Sequence, residues 1–452
     1  MLEIIILAAG RGTRMRSNLP KVLHPLAGRP LLQHVVDTAA ALNPKRTHVV
    51  IGHGADQVRD AIAGDLEFHI QTEQLGTGHA VLQALPHCAP DSTVLVLFGD
   101  VPLMNKTTLQ QLLPAADHGL VMLAAALDDP TGYGRVLRDT EGEFLGVVEQ
   151  KDASTAELAI REVNTGVLAG SASLLASLLS RVGNANAQGE YYLPDALGMA
   201  VSDGLSVAVM VTEEISDILG VNDRLQLEQL ERRYQITRAC DLMREGVAIR
   251  DRQRIDIRGQ LFCGRDVTID VNTVFEGQVI LGDGVSIGAN CILKDVEIAA
   301  GTVVHPFCHL ESAVVGSHCS VGPYARLRPG TVLGDAARVG NFVETKNATL
   351  GMGSKANHLA YIGDSKVGEG CNIGAGTITC NYDGANKHPT VLGDRVFVGS
   401  NSTLVAPLTI ESDGFVAAGS TVTKDINSAQ LAVSRARQRN IDGWRRPEKS
   451  KD

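Results

Sequence analysis

The stretch VGSHCS-VGPYAR-LRPGTV-LGDAAR-VG, residues 315–340, places an aliphatic residue at every sixth position. Those residues are Val315, Val321, Leu327, Leu333 and Val339, and glycine directly follows most of them. A period of six matches neither the 3.6-residue period of an α-helix nor the strict alternation of a half-buried strand. It is typical of a parallel β-helix, in which each short strand turns one aliphatic side chain inward and a small residue permits the corner.

The same period continues on both sides of this stretch. The upstream register contains Ile269, Phe275, Leu281, Ile287 and Leu293. The downstream register contains Leu392, Val398, Leu404 and Ile410. Where the period breaks, near Lys294–Glu297 and at Thr379–Thr390, we expect loops that leave the coil. The 47 glycines and the low aromatic content of 4% agree with a fold made of tight corners and small stacked side chains.

The first part of the chain has a different pattern, in which strand-like and helix-like segments alternate. Ile4–Ala8, His48–Ile51 and Thr93–Leu97 are strand-like, whereas Leu31–Leu42 and Thr77–Leu85 are helix-like. This alternation predicts an α/β, Rossmann-like domain with a mostly parallel sheet, and ligands bind such sheets at the carboxyl ends of the strands.

The chain therefore divides into three predicted parts. These are an α/β domain at 1–222, a linker helix at 223–246, and a β-helix domain with a C-terminal arm at 247–452. The formal net charge of −10 argues against nucleic-acid binding, which needs a basic face. No stretch has the roughly 18 apolar residues that a membrane span needs. The eight cysteines form no C-x-x-C pair, and in a large chain without a secretory signal we expect reduced thiols and a cytoplasmic protein.

A glycine loop, LAAGRGTRM at residues 7–15, follows the first predicted strand. Gly10 and Gly12 let backbone amides approach a ligand closely, and Arg11 and Arg14 add the positive charge that suits a nucleoside triphosphate. The third glycine of a dinucleotide-binding loop and the whole Walker pattern are missing, so a dehydrogenase and a P-loop enzyme are disfavoured. On the glycines alone, an ordinary strand-to-helix turn explains the loop equally well.

The residues after the loop add a specific pattern. Lys21 lies in LPKVL, residues 19–23, and the run L-A-A-G-x-G-T-R-M…P-K resembles the signature of sugar-1-phosphate nucleotidyltransferases. The resemblance implies that the Leu7–Gly10 backbone contacts uracil, and that Arg14 and Lys21 are catalytic and neutralise phosphate charge in the transition state. The residues that it assigns to binding of the nucleotide sugar are Leu7, Ala8, Ala9, Gly10, Lys21, Gln71, Gly76, Thr77, Phe98, Gly99, Asp100, Gly134, Glu149, Asn164 and Asn222.

The same resemblance implies a Mg²⁺ site formed by Asp100 and Asn222. Asp100 ends a buried strand in FGDVP, residues 98–102, and a carboxylate there suits a hard cation. Each residue has a simpler explanation. Asp100 could be a turn residue, and Asn222, just before a predicted helix, could be an ordinary N-cap.

The second half offers a candidate base, His358, in KANHLAY, residues 355–361, and a glycine-rich loop at 374–384. Acyl transfer to an amine needs a base of near-neutral pKa and donors for a tetrahedral oxyanion, which histidine and glycine amides supply. A lone histidine in a coil is more often structural. Nearby Arg328 and Lys346 are suited to a sugar phosphate.

From end to end the chain resembles the bifunctional bacterial N-acetylglucosamine-1-phosphate uridyltransferase/glucosamine-1-phosphate N-acetyltransferase family, whose second domain is a left-handed β-helix. The resemblance makes His358 the base, with Glu344 orienting it. It assigns glucosamine 1-phosphate to Arg328, Lys346, Tyr361 and Asn372, and acetyl-CoA to Ala375, Asn381, Tyr382, Ser400, Ala418 and Arg435. Two positions depart from the family pattern: Phe98 stands where we expect tyrosine, and Asn347 where a second basic residue is usual.

The implied function is two consecutive reactions. Acetyl-CoA acetylates glucosamine 1-phosphate, and UTP with Mg²⁺ then couples the product to give UDP-N-acetylglucosamine, a precursor of peptidoglycan and lipopolysaccharide. Hexapeptide β-helices commonly form trimers with active sites between subunits, so we also expect a homotrimer. Two alternatives remain open at this point: a nucleotidyltransferase whose β-helix serves only for oligomerisation, and a nonenzymatic scaffold that binds nucleotide sugars.

Overall fold

The computed structural model describes residues 1–449, and the chain divides into two compact units, Met1–Tyr234 and a second unit that begins at Gln235. The strands of the first unit are β1 Leu2–Ala8, β2 Pro25–Leu26, β3 Arg29–Pro30, β4 Arg46–Ile51, β5 Glu67–Ile70, β6 Thr93–Phe98, β7 Leu120–Ala126, β8 Gly134–Arg138, β9 Phe144–Val148, β10 Glu162–Ser171 and β11 Val207–Thr212. The α-helices are α1 Leu31–Ala40, α2 Ala55–Ala61, α3 Thr77–Ala84, α4 Lys106–Leu112, α5 Thr155–Leu158, α6 Ala172–Leu179, α7 Asp195–Ser202 and α8 Arg224–Arg244.

The main sheet of the first unit has the order β11-β7-β10-β6-β1-β4-β5. Strands β6, β1, β4 and β5 are parallel, whereas β10 is antiparallel to both β6 and β7 and continues into the β8–β9 hairpin. Ile4, Ile5 and Ile6 are all fully buried, as expected for a strand covered on both faces. The prediction of a mostly parallel α/β fold is confirmed, and it places the ends of β1 and β6 side by side.

Helix α8 includes residues of both units, ends at Arg244 and is followed by the predicted capping glycine. Gly246 has φ 102, and its N–H donates to the Met243 carbonyl at 3.1 Å. Beyond the unit boundary, the fully buried Gln235 exchanges two hydrogen bonds, of 2.9 and 2.7 Å, with the Ile257 backbone. Across residues 1–449, no helix combines the length and the apolar character that crossing a bilayer would require.

The second unit is a left-handed parallel β-helix whose strands pair in parallel with those of the next turn. Ile269, for example, pairs with Ile287, which pairs with Val304. The strands are β12 Ala248–Ile249, β13 Ile255–Cys263, β14 Thr268–Ile269, β15 Thr273–Leu281, β16 Ser286–Ile287, β17 Ile292–Ile298, β18 Val303–Val304, β19 His309–Glu311, β20 Ala313–Val315, β21 Ser320–Val321, β22 Arg326–Leu327, β23 Thr331–Leu333, β24 Arg338–Asn341, β25 Glu344–Leu350, β26 Lys355–His358, β27 Tyr361–Val367, β28 Asn372–Ile373, β29 Ile378–Cys380, β30 Thr390–Leu392, β31 Phe397–Val398, β32 Thr403–Val405, β33 Leu408–Ile410, β34 Phe415–Val416, β35 Thr421–Val422 and β36 Leu431–Ala432.

The aliphatic residues of the six-residue period form the core of this coil. Every member of the three registers is at most 3% exposed, and all belong to one continuous hydrophobic cluster. Burying a side chain of this size contributes about 1.5–3 kcal/mol relative to leaving it in water. The inward orientation predicted from the period is therefore confirmed.

The predicted loop near Lys294–Glu297 is wrong, because these residues lie inside β17. The coil is one residue shorter here, and the pairing of β15 with β17 absorbs the difference as a register shift, with one residue more on β15 than on β17. Asp295 adopts φ 51 at this point, and its carboxylate accepts a hydrogen bond of 3.0 Å from the Gln278 N–H. Aspartate tolerates the left-handed conformation better than most residues. The second break does form a loop, between Cys380 and Thr390.

Candidate active sites

A cavity of ≈ 660 Å³ opens at the carboxyl ends of β1 and β6. The loop after β1 forms one wall, and residues after β5 and β6 complete the lining. The lining residues are Leu7, Ala8, Ala9, Gly10, Arg11, Lys21, Val22, Gln71, Gln74, Gly76, Thr77, Ala80, Phe98, Asp100 and Glu190. Both the position and the volume are typical of a nucleotide site in a parallel sheet.

A second cavity of ≈ 340 Å³ adjoins the first and shares Thr77, Phe98 and Asp100 with it. Its lining adds the remaining predicted residues Arg14, Gly134, Glu149, Asn164 and Asn222. Gly99 lines neither cavity, but its N–H donates to the Leu7 carbonyl at 2.9 Å and so joins the ends of β1 and β6. The structure thus brings the predicted N-terminal residues together around one connected site.

The glycine loop has a geometry that a side chain at Gly12 would disrupt. Gly12 has φ +57, and a Cβ atom built on it would lie 2.5 Å from the Cβ of Lys21. Gly12 and Lys21 are therefore in direct contact, which fixes where the lysine enters the cavity. Arg14 lies in the short 3₁₀ turn Thr13–Met15 that follows.

Lys21 and Arg14 converge with Asp100 and Asn222 on a centre of charge between the two cavities. The Lys21 ammonium donates a hydrogen bond to the Asp100 carboxylate and lies 3.4 Å from Oδ1 of Asn222. Arg14 donates to the same Asn222 oxygen at 2.8 Å. The carboxylate and amide oxygens of Asp100 and Asn222 therefore already face one cation, and oxygens of these two types are ligands that Mg²⁺ prefers.

The structure also bears on the simpler explanation of Asn222 as a helix cap. The neighbouring residue Asp223 accepts a hydrogen bond of 2.9 Å from the Gln226 N–H and so caps α8. The side chain of Asn222 is turned toward the cations instead. Its proximity to Asp100, 122 positions earlier in the chain, could not be read from the sequence.

Glu149 is a buried acid on the wall of the second cavity. Burial raises its pKa above the ordinary value of 4.5, and the nearby carboxylates of Asp195, Asp152 and Glu190 raise it further, whereas Arg135 opposes them. The carboxyl group therefore retains its proton to a higher pH than an exposed glutamate does.

Sequence analysis missed the residues of one wall. Glu190, Leu193, Pro194 and Gln226 line the cavities, although no motif surrounds them. The Leu193 N–H donates to Thr77 Oγ1 at 3.0 Å, so the segment is held against the predicted site from a distant part of the chain.

The predicted residues of the second unit lie on successive turns of the coil rather than in a closed cavity. Arg328 and Lys346 follow the paired residues Leu327 and Thr345, and therefore lie one above the other. Arg328 also donates a hydrogen bond of 2.8 Å to Glu344. Glu344, which we expected to orient His358, is thus paired with Arg328 instead.

His358 is exposed at the end of β26, where it pairs in register with Asn341 of the preceding turn. Tyr361 begins the next strand, and Asn372 pairs with Lys355 one turn before it. These residues share the two turns that also carry Lys346. The structure therefore places the predicted base and the predicted sugar-phosphate residues on adjacent turns of one unit.

A second cation, Lys387, stands beside Lys346. Contact with Lys387, followed by the charge of Arg328, lowers the pKa of Lys346. Asp364 opposes this effect, and its carboxylate accepts hydrogen bonds from Asn347 at 2.7 Å and from Asn381. Neither Lys387 nor Asp364 carried a recognisable signal, because Lys387 is in the loop and Asp364 interrupts the aliphatic period.

The residues predicted to bind acetyl-CoA form a column. Ala375, Ser400 and Ala418 each lie two positions after one of the paired residues Ile373, Val398 and Val416. Arg435 donates a hydrogen bond of 2.7 Å to the Ala418 carbonyl and so follows the same column. The loop residues Asn381, which is buried, and Tyr382, which is exposed, follow Ala375 and precede Ser400 in the sequence.

Comparison with known proteins assigns both units. Residues 4–182 match the MobA-like NTP transferase domain, residues 257–349 the GMPPB C-terminal domain, and residues 389–424 the hexapeptide repeat of succinyl-transferase. Full-length relatives are named Bifunctional protein GlmU. The one from Stutzerimonas stutzeri is 57% identical over 450 residues, covering 99% of each chain. The one from Azoarcus sp. is 55% identical over 452 residues, covering 100% of each chain.

Proposed function

Because the chain belongs to the family of the bifunctional protein GlmU, it is a uridylyltransferase and an acetyltransferase, and we propose that its two units catalyse consecutive steps toward UDP-N-acetylglucosamine. The match of both units to full-length bifunctional relatives favours this over a β-helix that serves only for oligomerisation. We divide the work as predicted, with uridylyl transfer at 1–222, a connecting helix at 223–246 and acetyl transfer at 247–452.

In the first unit, the backbone of Leu7–Gly10 holds the uracil in the larger cavity, and the sugar phosphate enters the smaller one. The sugar-phosphate oxygen attacks the α-phosphorus of UTP, and pyrophosphate leaves. Lys21 and Arg14 stabilise the negative charge of this step, because both cations already point to the region shared by the two cavities. The UDP-N-acetylglucosamine product would contact the predicted lining residues. Gly99 would not line the cavities but would support them through its hydrogen bond to Leu7.

Asp100 and Asn222 would hold Mg²⁺ at the charge centre. The fit rests on their donor chemistry, a carboxylate and an amide oxygen facing one cation between the cavities. When bound, the ion would neutralise phosphate charge during transfer.

In the second unit, Arg328 and Lys346 bind the phosphate of glucosamine 1-phosphate, and Tyr361 and Asn372 contact the sugar. His358 takes a proton from the amine, whose nitrogen forms a bond to the acetyl carbon. The carbon–sulfur bond then breaks, and CoA leaves as a thiol. Lys387 supplies the second positive charge that Asn347 lacks, because it lies next to Lys346.

We place acetyl-CoA along the column of Ala375, Ser400 and Ala418, with Arg435 near its phosphates and Asn381 and Tyr382 beside its acetyl end. Tyr382, Ser400, Ala418 and Arg435 are exposed, so a neighbouring subunit would provide the other wall in a homotrimer. An exposed aromatic ladder supports such an interface: Phe307 stacks on Tyr324 at 4.9 Å, and Tyr324 on Phe342 at 5.3 Å.

We also propose a cytoplasmic location. All eight cysteines are free thiols, and five of them are buried. Unpaired thiols in this number are typical of a reducing compartment. The proposed product, UDP-N-acetylglucosamine, is a precursor of peptidoglycan and lipopolysaccharide, and this role is consistent with a cytoplasmic location.

The observation that carries the proposal is the convergence of Lys21, Arg14, Asp100 and Asn222 between two adjoining cavities of the first unit. The second unit carries His358 on an exposed face of the β-helix. The test measures pyrophosphate release and CoA thiol release from the same preparation. Asp100→Asn should abolish only the first, and His358→Ala only the second. Exposed residues of the same types provide the controls Asp91→Asn and His318→Ala, which should retain both activities. Loss of both activities in either site variant would contradict two independent sites.

A further inference from the structure

A group of histidine, carboxylate and thiol side chains lies at the amino-terminal half of the sheet, away from the cavities. Its members are Glu3 on β1, His48 on β4, Glu67 and His69 on β5, and the pair His87–Cys88 before β6. They share one face of the sheet, because His48 pairs in register with Glu67 and Val50 with His69. None of them has a part in the reactions described above.

Three ligand atoms in this group, one each from His48, Glu67 and His69, lie within 4.8 Å of one another. Nδ1 of His48 lies 3.0 Å from Nε2 of His69 and 3.4 Å from Oε2 of Glu67. With metal–ligand bonds of about 2.0–2.2 Å, the ligand atoms of a tetrahedral zinc site are separated by about 3.3–3.6 Å. Small movements of these side chains would therefore place all three atoms on one ion.

A buried carboxylate orients the central histidine. Nε2 of His48 donates a hydrogen bond of 3.1 Å to Glu3, and both side chains are fully buried. The other oxygen of Glu3 accepts a hydrogen bond from the Ala89 N–H at 3.2 Å, which fixes the carboxylate in turn. Carboxylates commonly support metal-binding histidines in this way, by holding the ring so that the other nitrogen faces the ion.

That orientation leaves Nδ1 of His48 facing Nε2 of His69 and the carboxylate of Glu67. In the tautomer in which His69 carries its proton on Nδ1, the lone pairs of both rings and the carboxylate face one point, which a metal ion can occupy. The approach is open on one side: the Glu67 side chain is 48% exposed, and Arg46 lies 3.8 Å from its other oxygen, Oε1, rather than from Oε2. The centroid of the His87 ring lies 4.5 Å from that of the His69 ring.

We propose that His48, His69 and Glu67 bind one divalent transition-metal ion of the zinc type, with water as the fourth ligand. Two imidazoles and a carboxylate suit zinc better than magnesium, so this site differs from the Asp100–Asn222 site in chemistry as well as place. The ion fastens β5, the edge strand, to β4. Because β5 leads directly into Gln71–Gly76, it stabilises the segment that lines the nucleotide cavity.

The test uses tag-free, chelator-treated full-length protein that carries Asp100→Asn, which removes the other candidate metal site. Cobalt(II) is titrated while the visible absorption is recorded, since tetrahedral cobalt absorbs far more strongly than octahedral cobalt. We expect an intense band that saturates at one ion per chain and is displaced by zinc. His69→Ala and Glu67→Gln, which alter partly exposed side chains, should each weaken binding at least tenfold, whereas the exposed His118→Ala should not.

Thermal unfolding gives a second readout. Zinc should raise the Tm of the parent protein and leave that of His69→Ala unchanged, because an ion that binds only the folded state stabilises it. The absence of the intense band, or its persistence in His69→Ala, would overturn the proposal. So would an NMR spectrum in which His48 holds two protons in the presence of excess zinc.

Discussion

Replacing Gly12 by alanine perturbs the uridylyl site through a single methyl group. Gly12 has φ +57, and the new Cβ would lie 2.5 Å from the Cβ of Lys21, where ordinary contact begins near 3.4 Å. The lysine must therefore move by about 1 Å, and it carries the ammonium group that contacts Asp100.

Two separate magnitudes follow from this geometry. The left-handed conformation costs alanine roughly 1–2 kcal/mol of folding free energy. A displacement of about 1 Å in a group that stabilises the transition state lowers the rate on the order of 100-fold. We therefore expect Gly12→Ala to lower kcat/KM for pyrophosphate release about 100-fold, with CoA release unchanged.

The assay compares three variants by kcat/KM and by thermal unfolding. Gly204→Ala is the matched control for strain, because Gly204 has φ +75 but nothing within 4 Å of the added Cβ. Gly183→Ala controls for the methyl group itself, since it has neither the strain nor the contact. Gly204→Ala should lose stability without losing activity. If Gly12→Ala and Gly204→Ala had the same kcat/KM for pyrophosphate release, the contact between Gly12 and Lys21 would not position the lysine, and the reasoning would be refuted.

Three further predictions test other parts of the molecule. Because the pKa of Glu149 is raised, the folded state binds its proton more tightly, and stability is lost as the pH rises above 4.5. Glu149→Gln should thus raise the Tm at pH 7 but not at pH 4, and an equal change at both would contradict the buried acid. Phe275→Ala removes a fully buried side chain from the β-helix and should cost about 3–5 kcal/mol, so acetyl transfer should be lost at a lower temperature than uridylyl transfer. Arg328→Gln should raise the KM for glucosamine 1-phosphate at least tenfold and leave that for acetyl-CoA unchanged, which steady-state kinetics can distinguish.

The β-helix could be predicted because its determinants are local and repeated. Each turn repeats the same pattern of a buried aliphatic residue at every sixth position. Residues such as Ile287 and Val321 can therefore be assigned to the core without knowing which residues they contact. The break near Lys294–Glu297 was misread for the same reason. A break in the period looks alike in the sequence whether the chain leaves the coil as a loop or, as at Asp295, stays in a strand whose pairing shifts by one residue.

The sites were predictable only where a motif marks them. The glycine loop and Lys21 lie close together in the chain, whereas Asn222 meets them only through the fold. Lys387 beside Lys346 depends on the path of a loop, and the wall near Leu193 depends on a contact with Thr77. Long-range contacts of this kind are set by packing rather than by local pattern.

The most direct test of the central claim, two independent sites on one chain, is complementation. Glucosamine 1-phosphate, acetyl-CoA, UTP and Mg²⁺ are incubated with Asp100→Asn, with His358→Ala, or with both proteins mixed, and the products are identified by mass spectrometry. We predict that neither variant alone forms UDP-N-acetylglucosamine and that the mixture does, with N-acetylglucosamine 1-phosphate accumulating when only Asp100→Asn is present. A mixture that stays inactive while each variant retains its other activity would contradict the account.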